Sequence, residues 1–130
     1  MSTFVKMFKP EFAELVRTGI KCQTIRPVPK RMPKVGDLVS LRRWEDKPYR
    51  SKQVVLGQGK IVMIWRVRMD AVPAFRMWLD GKLCSMGEAD SIARADGFPG
   101  FVEIFEWFDR EHGFPFDGIL IRWMPIGGAQ

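Results

Sequence analysis

The chain has 130 residues, 46% of them apolar and 28% charged, which excludes the disordered, fibrous and membrane-spanning classes and fits a single globular domain over residues 1–130. Two cysteines and one histidine exclude a structural zinc site. No apolar run approaches the ~18 residues of a membrane span, so the sequence reads as a cytoplasmic protein with free thiols, no metal and no cofactor. The net charge of +6 is unevenly spread: residues 1–85 carry 18 basic and 7 acidic side chains, residues 86–117 carry 2 and 8. Such asymmetry fits a basic face for a polyanion and equally fits a solvated surface with an acidic helical flank.

In chain order, Pro10 suits a first helical position, Glu11 complements the helix dipole, and Phe12, Leu15 and Val16 share one face, which predicts a helix over 10–18 ended by a left-handed Gly19. Residues 22–26 read as extended, and Pro27, Pro29 and Pro33 then force an irregular basic loop up to Gly36 and Asp37. A strand is expected over Leu38 to Trp44, followed by a polar loop from Glu45 to Gln53. The clearest strand signal runs from Lys60 to Met69, where Ile61, Met63, Trp65, Val67 and Met69 alternate onto one face and mark Trp65 as core.

Downstream, Ser85-x-x-Glu88 has capping-box spacing and opens a helix that Gly97 terminates. A second acidic helix is expected near 101–112, with Phe101, Ile104, Phe105 and Phe108 on one face. Ile119, Ile121 and Trp123 make a final strand. Strands interrupted by short helices, without βα alternation, indicate an α+β domain built on a small mixed or antiparallel barrel.

The densest polar cluster is Gly19-Ile20-Lys21-Cys22-Gln23-Thr24-Ile25-Arg26, where a helix stops and a strand begins. A lysine partly desolvated there serves as a general base, Thr24 offers a hydroxyl nucleophile, and Arg26 supplies a forked contact to phosphate or carbonyl oxygen. A lysine that favours the helix dipole and a threonine chosen for strand propensity account for the same residues without chemistry. Asp96 sits just before Gly97, where the dipole disfavours a carboxylate, so it needs compensation from an ion pair or from Lys21 across a cleft. Arg42, Arg43 and Trp44, then Tyr49 and Arg50, then Trp65 and Arg66, interleave cations with rings, as single-strand binding requires, although the spacing of Trp65 marks it as core. Cys22 reads as a structural thiol, and His112, ahead of Gly113, as a helix C-terminal residue.

The stretch Gly19-x-Lys21-x-x-Thr24-x-Arg26, then Gly36-Asp37 ahead of a strand, then Ala93-x-x-Asp96-Gly97-Phe98, resembles the signature of the ASCH domain family, a branch of the PUA-like superfold. The resemblance runs from about residue 8 to about residue 124. It implies a PUA-like barrel flanked by short helices. In that family a small bacterial N4-acetylcytidine amidohydrolase uses lysine, threonine and an acidic residue in these motifs, which fall on Lys21, Thr24 and Asp96; the family usually has glutamate where Asp96 stands. The resemblance thus implies hydrolysis of an N4-acyl amide on a pyrimidine nucleoside or RNA, with Arg26, Tyr49, Arg50, Trp44, Arg42 and Arg43 binding substrate. A noncatalytic RNA-binding module and a ribonuclease are the alternatives. A segment rich in Trp, Met and Pro near 70–85 lies outside the motifs.

Overall fold

A computed structural model describes residues 1–126. In chain order the elements are β1 (Thr3–Met7), α1 (Pro10–Arg17), β2 (Gln23–Pro27), β3 (Leu38–Trp44), β4 (Gln53–Asp70), β5 (Arg76–Leu79), β6 (Lys82–Leu83), α2 (Met86–Ala95), α3 (Phe101–Glu111) and β7 (Phe116–Ile126). The seven strands form a mixed, mostly antiparallel sheet with the order β1-β3-β4-β5-β6, while β7 pairs with both β2 and β4. The β1–β3 pair is parallel; β3–β4, β4–β5 and β5–β6 are antiparallel.

This sheet corrects the expected barrel. Closure requires the end strands to pair with one another, and among the described residues β1 and β6 each have one strand neighbour. The two-residue β6 also offers too little backbone to carry a closing ladder.

The chain divides into two compact units: one comprises Met1–Cys22, Pro33–Met63 and the described residues 122–126, the other Gln23–Met32 and Ile64–Ile121. In the first unit, α1 begins with Pro10 at its first turn and buries Ala13 and Val16. Its outer face carries an ion pair between Arg17 and Glu14. At its end the Thr18 hydroxyl donates to the Glu14 carbonyl, Gly19 takes a left-handed φ of +79°, and the Lys21 amide donates to the Leu15 carbonyl. Val39, Leu41, Ile61 and Trp123 supply buried apolar side chains to this unit. Gly59 lies against the Trp123 indole where a Cβ has no room. Asp37, also buried, accepts the Ser2 and Lys34 amides and so ties the start of β1 to the turn before β3.

In the second unit, α2 opens with the expected capping box, the Glu88 amide donating to the Ser85 hydroxyl and the Ser85 amide to the Glu88 carboxylate. Asp90 on α2 then accepts the Phe101 amide at the start of α3, whose Ile104, Phe105 and Phe108 are buried. The alternation along β4 holds, with Val67 and Met69 buried and Arg66 and Arg68 exposed, but Trp65 is only half-buried and is not a core residue. The 70–85 segment forms a small hairpin, turned by Asp80 and Gly81, both with positive φ.

Candidate functional site

Strand β2 begins at Gln23, so Lys21 and Cys22 belong to the link after α1 rather than to the strand. Within β2, Thr24 and Arg26 share a face by alternation. Arg26 folds back along that face and donates its Nε–H to the buried Thr24 hydroxyl oxygen at 2.9 Å. The hydroxyl therefore acts as acceptor toward Arg26 and keeps its own proton for another partner.

Asp96 lies in the same unit, at the C-cap of α2, and is buried. A carboxylate at the negative end of the helix dipole calls for compensation, and part of it comes from Gln23, to which the sequence assigned no role. Gln23 is buried and uses its carboxamide nitrogen twice, donating to Asp96 Oδ1 at 3.1 Å and to the Ile92 carbonyl at 3.0 Å. Arg26 supplies a second contribution: burial lowers its pKa below the usual arginine value, while the Asp96 charge acts to raise it. Two β2 residues thus bear on the Asp96 carboxylate, one by hydrogen bond and one by charge.

Lys21 belongs to the first unit and is 2% exposed. Its ammonium lies 5.1 Å from the Phe12 ring centroid and 5.9 Å from that of Phe8, within cation–π range. Cys22 is half-buried, donates to the Gly19 carbonyl at 3.2 Å, and has its pKa raised by burial. A thiol so protonated is a poor nucleophile.

The aromatic and cationic residues of 42–50 are gathered at the β3–β4 hairpin of the first unit. Trp44 and Tyr49 rings lie 5.1 Å apart at 49°, and Tyr49 is 88% exposed with a φ of +63°. Such a backbone costs about 1–3 kcal/mol for a residue other than glycine. The arginines are not equivalent. Arg42 is committed internally, to the Ser40 hydroxyl at 2.9 Å and the Gln53 side-chain Oε1 at 2.8 Å. Arg43 donates to the Trp44 carbonyl at 3.0 Å. Arg50 is exposed, with no side-chain partner among the described residues.

Two concavities lie apart from these residues. One, of about 430 Å³, is lined by Arg66, Arg68, Trp78 and Asp117 in the second unit. The other, of about 340 Å³, has Leu41, Leu56 and Trp123 among its walls in the first. Neither contains a residue expected from the sequence to bind or catalyse. Among the described residues no group of three His, Cys, Asp or Glu side chains could hold a metal ion, and no helix is long and apolar enough to cross a membrane.

No family model matches the sequence, and no curated protein matches it. Among solved structures the chain is similar to the crystal structure of hypothetical protein PH0355, with a TM-score of 0.56 and 16% identity over 97% of this chain and all of the other. At that identity the likeness is one of fold: a small α+β arrangement of sheet and helices.

Proposed function

We propose that this chain is an ASCH-type, PUA-like protein that hydrolyses the N4-acyl amide of a modified cytidine. The observation that carries the reading is the part-buried hydrogen bond from Arg26 to the buried Thr24 hydroxyl, in the unit that also buries Asp96. A guanidinium held against a hydroxyl oxygen favours its anionic form and leaves the proton free to depart. Buried Gln23, Thr24 and Asp96 with half-buried Arg26 gather polar groups in one unit, as functional sites do.

In the reaction so proposed, the Thr24 proton passes to the base, for which Lys21 is the candidate the sequence motif supplies, and the threonine oxygen forms a bond to the acyl carbon. The bond from that carbon to N4 breaks, the leaving amine takes the proton from the base, and cytidine departs. Water then cleaves the acyl-threonine ester, releasing the carboxylic acid and restoring the hydroxyl. Incubation with N4-acetylcytidine tests this: cytidine and acetate are expected in equal amounts, and an unchanged substrate overturns the reading.

A second reading, a noncatalytic binder of single-stranded RNA, is favoured by the exposed Tyr49 ring on Trp44 with Arg50 nearby in sequence. A ring with an open face accepts a base of any sequence. Retention of single-stranded RNA without release of cytidine would favour it.

A further inference from the structure

We infer that Gln23 is the positioning residue of the Asp96 carboxylate, a two-pronged clamp that fixes its rotamer across the end of α2. The inference rests on the hydrolase reading for its kinetic consequence, but the clamp itself stands on geometry.

A primary carboxamide has two N–H donors. Gln23 places one on the Ile92 carbonyl and one on Asp96 Oδ1. The Ile92 carbonyl lies in the last turn of α2, where helical carbonyls run short of partners, and it also accepts the Asp96 amide at 3.0 Å. Gln23 is therefore anchored to the backbone of the same helix end that carries the carboxylate. With the nitrogen so held, Oδ1 meets a donor fixed in direction, and turning the carboxylate away breaks that buried hydrogen bond.

The clamp also bears on the charge of Asp96. A hydrogen bond donated to a carboxylate favours its ionised form, and the positive charge facing Asp96 from β2, Arg26, acts the same way. In the proposed reaction Asp96 is the clamped group that orients its neighbours and does not supply the proton to the leaving amine. That proton returns from the base that took it from Thr24.

Gln23→Met removes both donors at nearly constant volume. The Asp96 carboxyl, followed by carbon NMR over a pH series, is expected to titrate higher by about 1 pH unit. The kcat for N4-acetylcytidine is expected to fall about tenfold with KM little changed, because positioning acts on the reacting groups. Gln23→Asn keeps the donors one methylene short, and its kcat and Asp96 titration should fall between the two; it replaces the methionine variant if that one fails to fold. An Asp96 titration and a kcat both unmoved in a folded variant overturn the clamp. Wild-type protein without hydrolysis overturns the hydrolase reading, while the Asp96 titration still decides the clamp.

Discussion

Arg26 Nε stands 2.9 Å from the Thr24 hydroxyl oxygen, two positions apart on one face of β2. This contact gives Thr24 a role that strand propensity does not require. Thr24→Val keeps the shape and deletes the hydroxyl, so the protein should fold and still bind nucleoside while amide hydrolysis drops at least ~100-fold. Lys21→Met should be about as inactive and the double variant little worse, since residues acting as one unit are not additive. Steady-state kinetics on the three variants checks this.

Gly118 on β7 lies where a Cβ would run into the Arg26 carbonyl and the Phe116 ring. The absence of a side chain is what lets the strand carrying Thr24 and Arg26 approach. Gly118→Ala should cost about 1–3 kcal/mol in urea denaturation and lower hydrolysis at the same time. Wild-type stability in this variant would mean that β2 yields easily.

The Asp37 carboxyl is held below the usual aspartate pKa, chiefly by the Ser2 amide and then by the Lys34 amide. A folded pKa below the unfolded value contributes stability above the unfolded value and loses it as the pH falls through the folded one. Acid should therefore begin to weaken the β1 anchor below about pH 4. Asp37→Asn should be less stable at neutral pH, with a flatter dependence in acid. Melting curves between pH 2 and 7 read this directly.

If single-stranded RNA binds, the β3–β4 tip should respond unevenly. Tyr49→Ala removes a stacking face worth about 1–3 kcal/mol. Arg50→Ala should flatten the logarithmic salt dependence by about 0.7 if that side chain meets a phosphate. Arg42→Ala should cost stability more than affinity, because its guanidinium already joins β3 to β4 through Gln53. Fluorescence titrations at several salt concentrations separate the three.

Local signals in the sequence were legible where one element decided its own form. The loop end at Gly36-Asp37 ahead of Leu38 to Trp44, the Ser85–Glu88 box and the spacing of Ile104, Phe105 and Phe108 locate β3, α2 and α3. Strand β1 was not legible, because its pairing with β3 is parallel and distant and Thr3–Met7 has no clean alternation. The Asp80-Gly81 turn was readable as a hairpin signal, yet the strands beside it are only four and two residues long. Trp65 satisfied the period of a core position and is half-buried, since alternation specifies a face and not its depth. At the site, the unfavourable place of Asp96 against the helix dipole called for an ion pair or Lys21, and the structure gives Asp96 a hydrogen bond from Gln23. Gln23 as that partner lies 73 positions away, beyond any local pattern.

The most direct test of the account is to quench the protein in acid during turnover of N4-acetylcytidine labelled in the acetyl group, then digest it and map the label. The account predicts one acetyl group on the peptide containing Thr24, absent in Thr24→Val. A protein that turns the substrate over with no label at Thr24, and with Thr24→Val as active as wild type, would contradict it.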